Sequence, residues 1–200
     1  MATVSYSARE IDCKLVYCGP GLSGKTTNVK HIYNRVSSDS RGKLISLAAG
    51  NERTLFFDFL PVDTGEINGF RVRLHLYSVP GQAMYTDSRK LILQGVDGIV
   101  FVADSQRDRM EANIASLRDL KENLTLQKRK GVSVVLQCNK RDLPDILPVD
   151  ELREGLGLTR VPCIASVATE GMGVFETLRK VSRMVLARLN KQFESIQGRA

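Results

Sequence analysis

The chain has 200 residues, of which 42% are hydrophobic and 26% are charged, and its formal net charge is +7. This length predicts one globular domain that needs no disulfide bonds, and the composition excludes a disordered or collagen-like chain. Apolar runs stay shorter than the about 18 residues of a membrane-spanning helix, so we expect no integral membrane segment.

Apolar, β-branched runs alternate with helical patterns along the chain. A strand is predicted at residues 11–18 and a helix at 26–36, followed by a polar, flexible stretch at 37–43. Strands at 54–60 and 70–79 flank the turn residues Asp63-Thr64-Gly65-Glu66, a pattern that predicts an antiparallel hairpin.

The second half continues this alternation. The uninterrupted apolar run at 98–103 predicts a strand buried on both faces, as in a parallel sheet. A helix is predicted at 108–125, and strands at 132–138 and 163–165. A long last helix is predicted from apolar residues that share one face: Phe175, Leu178, Val185, Leu189 and Phe193. The whole pattern predicts an α/β fold with a mainly parallel sheet, one antiparallel edge strand and helices on both faces.

Ligands of such sheets bind in the loops at the carboxyl ends of the strands. The loop after the first predicted strand reads GPGLSGKT and matches G-x-x-x-x-G-K-[ST]. Its glycines let several backbone N–H groups surround one phosphate, at the positive end of the following helix. Lys25 is expected to reach the β- and γ-phosphates, and Thr26 to ligate Mg²⁺. The expected phosphate-binding residues are Gly19, Gly21, Leu22, Ser23, Gly24, Lys25, Thr26 and Thr27.

The loop after the predicted strand at 132–138 reads Asn139-Lys140-Arg141-Asp142. A carboxylate such as Asp142 accepts hydrogen bonds from N1–H and the exocyclic amino group of guanine, a donor pair that adenine lacks. Asn139 is expected to contact N7 of the base and to tie this loop to the phosphate loop, and the stem of Lys140 to cover the ring. By itself the segment would also fit a charged turn, but together with the phosphate loop it predicts GTP and GDP as ligands.

These motifs, in this order, resemble those of the Ras-like small GTPases over essentially the whole chain, which implies a single GTPase domain at 1–200 with a Ras-like P-loop fold. The segments RTLFFDFLP, LHLYSVPGQ and SRKLILQGVDGIVFVADS resemble the MglA family, bacterial GTPases that set cell polarity and direct surface motility. The resemblance also assigns Ser166, Val167 and Ala168 to the loop whose backbone contacts the guanine oxygen, although Ser-Ala-Lys is usual there.

Ser78 stands where most Ras-like GTPases have an Asp that helps to hold Mg²⁺ through water, and the MglA family has Thr or Ser there. Mg²⁺ needs near-octahedral oxygen ligands, which Thr26 begins to supply. The resemblance gives Thr54 the role of the switch threonine that completes the shell in the GTP state. Asp58, in the neighbouring predicted strand, either supplies the lost charge or faces solvent. The expected metal-binding residues are Thr26, Thr54 and Asp58, with weaker Mg²⁺ binding than in relatives that keep the Asp.

The resemblance also implies the catalytic groups and a partner. Gln82 is expected to orient the attacking water, and Arg53 to offset transition-state charge from within the chain, unless it pairs with Glu52 or solvent instead. The MglA family has a partner, MglB, a roadblock-fold homodimer that stimulates slow GTP hydrolysis. The family shifts the strand before the switch, which we expect at 37–52 and 63–69. Effectors of the polarity or motility machinery are the further partners.

Two other functions stay open at this point. A P-loop kinase or ATPase would share the phosphate loop but would leave the guanine-reading segment unexplained, and nucleotide preference separates the two. A nucleotide-binding scaffold without hydrolysis would explain Ser78 as a loss, although Lys25, Arg53 and Gln82 are retained.

The remaining features concern the environment. Lys and Arg are interspersed with Asp and Glu, so we expect no nucleic-acid partner. The four cysteines lack zinc-site spacing and are interpreted as reduced, buried thiols. The chain starts without a signal-peptide core and ends without a prenylation motif, so we expect a cytoplasmic protein that reaches a pole or membrane only through partners. Basic residues on or after the last helix indicate either a site for an acidic effector or filament or a solvated face: Arg179, Lys180, Arg183, Arg188, Lys191 and Arg199.

Overall fold

The computed structural model of the protein describes residues 3–47, 57–67, 69–79, 86–128 and 131–197. Within these ranges the chain forms an eight-stranded mixed sheet flanked by five α-helices. The strands are β1 (Thr3–Ser5), β2 (Glu10–Cys18), β3 (Ile45–Leu47), β4 (Phe57–Ile67), β5 (Phe70–Ser78), β6 (Gly98–Asp104), β7 (Ser133–Asn139) and β8 (Cys163–Ala165). The helices are α1 (Lys25–Arg35), α2 (Thr86–Leu93), α3 (Met110–Leu126), α4 (Val149–Gly155) and α5 (Val174–Gln197).

The sheet has the strand order β3-β4-β5-β2-β6-β7-β8. The five neighbouring strands β5, β2, β6, β7 and β8 are parallel to one another. β4 is antiparallel to β5, and β3 is antiparallel to β4. The short β1 pairs antiparallel with the start of β2. The predicted α/β fold with a mainly parallel sheet is therefore confirmed. Since β2, β6, β7 and β8 run in the same direction, the loops that follow them all lie at the same edge of the sheet.

Helices cover both faces of the sheet, as predicted. On one face α1 and α5 pack their apolar stripes against β2, β4, β5 and β6. On the other face α2, α3 and α4 pack against β2, β6 and β7. Every residue of β6 is buried, which explains why its sequence has no polar alternation.

The predicted turn at 63–66 is wrong. β4 continues through these residues, and its pairing with β5 shifts between Asp63 and Glu66, which makes this segment a β-bulge. Gly65 has a φ of 98°, a left-handed conformation that suits a bulge as well as a turn. The hairpin closes farther along, beyond the paired residues Ile67 and Phe70.

Other differences are shorter elements. The strands β1 and β3 and the helices α2 and α4 were not predicted as separate elements, because each has eight residues or fewer and gives little periodic signal. All four cysteines are free thiols, but Cys163 is only partly buried, unlike Cys13, Cys18 and Cys138. Among the described helices, none has the length and hydropathy that a membrane crossing requires.

Arg188 of α5 forms an ion pair with Asp97, the residue that precedes β6. Its Nη2 lies 3.5 Å from Oδ1 of Asp97, whose side chain is 1% exposed, and its Nη1 donates a hydrogen bond to the carbonyl oxygen of Gly131. The other carboxylate oxygen of Asp97 accepts a hydrogen bond from the backbone N–H of Lys14 at 2.9 Å. Arg188 therefore has a structural role, which neither interpretation of the basic helix anticipated.

Replacing Arg188 should destabilise the protein. Arg188→Ala removes the ion pair between Arg188 and the buried Asp97 carboxylate, and we expect the free energy of unfolding to fall by about 2–3 kcal/mol, less than for a fully buried pair. Urea denaturation measures this loss. Arg183→Ala, at an exposed position of the same helix, serves as the control and should change stability by less than about 0.5 kcal/mol. Equal losses in both variants would contradict the structural role of Arg188.

Candidate nucleotide-binding site

The phosphate loop lies between the end of β2 and the start of α1, as predicted. Two of its glycines are required by the backbone, with φ angles of 140° at Gly19 and 98° at Gly24. A methyl group at Gly19 would overlap the carbonyl oxygen of Val102 in β6, and one at Gly24 would overlap the side-chain nitrogen of Asn139. The loop is thus pressed against both the neighbouring strand and the predicted base-reading loop.

Lys25 is almost buried at the start of α1. Its Nζ donates a hydrogen bond to the carbonyl oxygen of Pro20, 2.6 Å away. Burial lowers the pKa of Lys25 from 10.5 to about 8, and the nearby Cys18 opposes this shift while Arg89 adds to it. An ammonium group has three donors, so a bound phosphate would satisfy the others and restore its charge.

The remaining side chains of the loop differ in solvent exposure. Thr26 is exposed at the positive end of α1, Thr27 is partly exposed and Leu22 is exposed. Ser23 is buried, and its hydroxyl has no hydrogen-bond partner among the described residues. The residues therefore fit an anionic ligand such as a nucleotide phosphate chain.

Asn139, the last residue of β7, joins three loops through its side chain. Its Nδ2 donates to the carbonyl oxygen of Ser23 at 2.7 Å. Its Oδ1 accepts from the hydroxyl of Ser166 and from the backbone N–H of Ala168, both at 2.9 Å. The predicted tie between the base-reading and phosphate loops is present, and the loop after β8 is held by the same amide.

Lys140 is held by a buried carboxylate. Its Nζ lies 2.6 Å from Oδ2 of Asp104, a residue with no solvent exposure at the end of β6. Arg109 lies 3.7 Å from the same oxygen and donates to the carbonyl oxygen of Gly21 at 3.0 Å. Asp104 thus positions one cation of the base-reading loop and one that supports the phosphate loop.

The other residues of the predicted guanine site lie nearby in the fold. Asp142 is exposed, so its carboxylate is accessible to a ligand. The backbone N–H of Arg141 donates to the carbonyl oxygen of Ser166 at 3.1 Å. Ser166, Val167 and Ala168 are buried. The loops after β7 and β8 are therefore in direct contact.

A buried polar network lies beneath these loops, within the apolar core. The side-chain amides of Asn28 in α1 and Gln137 in β7 exchange two hydrogen bonds, of 2.9 and 3.0 Å. Gln137 also donates to the hydroxyl of Thr177 in α5 at 3.0 Å. All three side chains are fully buried. The network connects the elements that begin or end at the three loops.

Ser78, at the end of β5, faces Asp58 of β4. The two residues are paired in the sheet register, and the Ser78 hydroxyl donates to Oδ2 of Asp58 at 2.6 Å. Oδ1 accepts a hydrogen bond from Ser46 of β3, also at 2.6 Å. Asp58 is only 7% exposed, so the solvent-facing interpretation is wrong. A carboxylate is thus present beside Ser78, supplied by the adjacent strand.

Three predicted residues lie outside the described ranges: Arg53, Thr54 and Gln82. In the part of the chain that the structure describes, no group of three or more His, Cys, Asp and Glu side chains forms a metal cage.

Sequence reasoning missed several residues that position the site: Asp104, Arg109, Ser46, Asn28 and Gln137. Asp104 had a detectable signal, because it is an acidic residue at the carboxyl end of a buried strand. The amide pair had none, since Asn28 and Gln137 are 109 residues apart in the chain.

Comparisons with known proteins agree with this geometry. The model of the ADP-ribosylation factor family matches residues 3–185. The chain is 54% identical over 193 residues to the mutual gliding-motility protein MglA of Myxococcus xanthus, an alignment that covers 96% of this chain and 99% of that protein. It is 29% identical over 150 residues to ADP-ribosylation factor-like protein 2 of Drosophila melanogaster, covering 75% and 72% of the two chains.

The lowered pKa of Lys25 predicts that binding of GDP depends on pH, because a phosphate next to Nζ favours the charged ammonium. With a pKa of about 8, Lys25 is mostly charged in the free protein below that pH, whereas above it the binding of GDP should take up a proton. We therefore expect the affinity for GDP to fall about tenfold at about pH 9, where about one tenth of free Lys25 is protonated. Calorimetry in two buffers of different ionisation enthalpy measures the proton uptake.

Lys25→Met is the matched control for this experiment. It should bind GDP more weakly, with no proton uptake beyond that of the guanine base itself. An affinity of the unaltered protein that stays constant from pH 7 to about pH 9 would show that Lys25 keeps an ordinary pKa.

Proposed function

The chain belongs to the ADP-ribosylation factor family of Ras-like small GTPases and is of the MglA type, and from this membership we propose that it is a molecular switch stimulated by an MglB-like roadblock homodimer. It binds GTP and GDP as the family does. In this proposal residues 1–200 form one GTPase domain, intrinsic hydrolysis is slow, and the GTP-bound form is the signal.

The observation that best supports this assignment is the junction at Asn139. One side-chain amide holds the phosphate loop and the loop after β8 to the base-reading loop. We assign residues 19–27 to the phosphates and Asn139, Lys140 and Asp142 to the guanine base. The buried loop 166–168 contributes its backbone to the same base. Nucleotide specificity then depends on Asp142, which is exposed and lies two residues after Lys140, whose ammonium is paired with Asp104.

We further propose that Thr26, Thr54 and Asp58 hold Mg²⁺, which supplies positive charge next to the phosphate oxygens. Support comes from the short hydrogen bond between Ser78 and Asp58. An ionised carboxylate has about four lone-pair sites. Asp58 uses two of them for Ser78 and Ser46, so it retains capacity for a metal-bound water.

For hydrolysis we assign Gln82 to orienting the attacking water and Arg53 to stabilising the charge on the phosphate oxygens. Both roles follow from the family resemblance of the segments that contain them. Because Arg53 belongs to the chain itself, a partner need not insert an arginine; it accelerates hydrolysis by ordering Arg53 and Gln82. The MglB-like homodimer is proposed as that partner.

The proposed cell process is taken from the similar mutual gliding-motility protein MglA of Myxococcus xanthus. We propose that this chain likewise controls cell polarity and surface motility, through effectors that recognise its GTP-bound form. It would act in the cytoplasm and reach a cell pole through those effectors.

Removing the charge of Asp58 should weaken Mg²⁺ binding. Asp58→Asn keeps an oxygen that can accept from Ser78 but loses the carboxylate, and we expect the Mg²⁺ concentration for half-maximal GTP hydrolysis to rise about tenfold or more. Asp63→Asn, on the same strand but paired with Arg73, is the matched control and should leave the Mg²⁺ dependence unchanged. An unaltered Mg²⁺ dependence in Asp58→Asn would remove Asp58 from the metal site.

Single-turnover GTP hydrolysis, with and without the cognate MglB-like protein, tests the catalytic assignments. The partner should accelerate the unaltered protein, and Arg53→Ala and Gln82→Leu should each lose about 10³-fold or more of the stimulated rate. Binding of GTP without any acceleration, and rates that neither substitution alters, would support the non-hydrolysing scaffold instead. ATP in place of GTP should give no measurable turnover.

A further inference from the structure

Two thiols lie in contact at the end of the sheet that carries the base-reading loops. The Sγ atoms of Cys138 in β7 and Cys163 in β8 are 3.3 Å apart. Cys138 immediately precedes Asn139, and Cys163 begins the strand that leads to Ser166. The pair therefore lies directly beneath the junction between the two loops.

The two thiols differ in access and acidity. Cys138 has no solvent exposure, whereas Cys163 is partly exposed. The hydrogen bond from the Cys138 thiol lowers the pKa of Cys163, and the guanidinium groups of Arg153 and Arg141 act in the same direction, against desolvation and the charge of Asp150. The same hydrogen bond and burial raise the pKa of Cys138. Cys163 is thus the accessible nucleophile, and Cys138 is the second thiol that can resolve an oxidised Cys163.

The sheet register gives a bond between these thiols a structural consequence. Cys163 is paired with Leu136, and Cys138 with Ala165, so the two cysteines are diagonal neighbours on one face. With ordinary strand spacing and rise, their Cα atoms would be about 8 Å apart. A disulfide requires at most about 6.8 Å, so β8 must shift along β7 to form one. Such strained disulfides are the readily reduced ones.

The shift would act on the guanine site. Asn139 accepts hydrogen bonds from Ser166 and Ala168, which follow β8, and donates to Ser23 in the phosphate loop. Movement of β8 relative to β7 changes the distance between the partners of this single amide. Loss of any of these three hydrogen bonds leaves a buried polar group unpaired, which weakens the arrangement of all three loops.

We propose that Cys138 and Cys163 form an oxidisable dithiol site that takes hydrogen peroxide as its oxidant, and that the resulting disulfide accelerates nucleotide release. The Cys163 thiolate attacks the peroxide oxygen, the O–O bond breaks, and water leaves after protonation, which gives a sulfenic acid. Sulfur of Cys138 then attacks sulfur of Cys163, the S–O bond breaks and a second water is released. Two thiols are oxidised and the peroxide is reduced. The effect on nucleotide rests on the guanine-site assignment proposed above.

The experiment uses the full chain loaded with a fluorescent GDP analogue. It is treated with hydrogen peroxide, free thiols are blocked, and peptide mass mapping identifies the crosslinked cysteines. Release of the analogue into excess GDP is then followed before treatment, after treatment and after reduction with dithiothreitol. Cys163→Ser and Cys138→Ala are tested separately, each after its reduced form has been shown to bind the analogue.

We expect a disulfide between Cys138 and Cys163 in the unaltered protein after peroxide treatment. Release of the GDP analogue should become faster by about fivefold or more, which is the low end of coupling between two sites. Reduction with dithiothreitol should restore the original release rate. Cys163→Ser and Cys138→Ala should form no intramolecular disulfide and show no acceleration. The inference is overturned if no such crosslink forms, if the crosslinked protein releases nucleotide at the original rate, or if Cys163→Ser accelerates equally. Binding by the reduced protein tests the nucleotide function separately, so the two failures are distinguishable.

Discussion

The side-chain amide of Asn139 is the constraint on which the site depends. Asn139 ends β7, and its amide holds the loops that follow β2 and β8: Ser23 of the first loop accepts a hydrogen bond from Nδ2, while Ser166 and Ala168 of the second donate to Oδ1. The packing explains why Gly24 is required, because any side chain there would occupy the position of the amide nitrogen. A buried amide has few alternatives to these partners, so the loops are positioned before a ligand arrives. Such preorganisation lowers the ordering cost of nucleotide binding.

The core beneath the site supports the same arrangement with a second set of amide contacts. Asn28 also donates to the carbonyl oxygen of Gly24, which links the first turn of α1 to the phosphate loop. Gln137 is two residues from Asn139 on the same strand, and Thr177 lies in the first turn of α5, where its hydroxyl donates to the carbonyl oxygen of Gly173. A fully satisfied polar network in an apolar core fixes the relative positions of its elements more strictly than apolar packing does, since each alternative leaves a donor or acceptor unpaired. The positions of the loops are therefore determined by the polar network in the core as well as by the hydrogen bonds of Asn139.

How much of this follows from sequence depends on how local each signal is. The phosphate loop and the base-reading loop were predictable, because each motif is contiguous and lies after a strand that its apolar residues identify. The bulge at Asp63 and Glu66 was not, since Asp and Gly favour turns and bulges through the same left-handed backbone conformation. The ionic contact of Arg188 with Asp97 joins residues 91 positions apart and looks in sequence like one more charge on a basic helix. Interactions across the sheet become visible only when the strand order is known.

The pairing of Ser78 with Asp58 places a carboxylate of one strand beside the end of the neighbouring strand. The two residues are opposite each other in antiparallel β4 and β5, so the carboxylate reaches the end of β5 from the adjacent strand. This solution makes the charge depend on register. A carboxylate carried by β5 itself would stay in place if β4 moved, whereas a slide of β4 by two residues in one direction would bring Leu60 opposite Ser78 in place of Asp58. A conformational change that slides β4 along β5 by two residues must therefore also remove or restore the carboxylate beside Ser78, so strand register determines whether that position is charged.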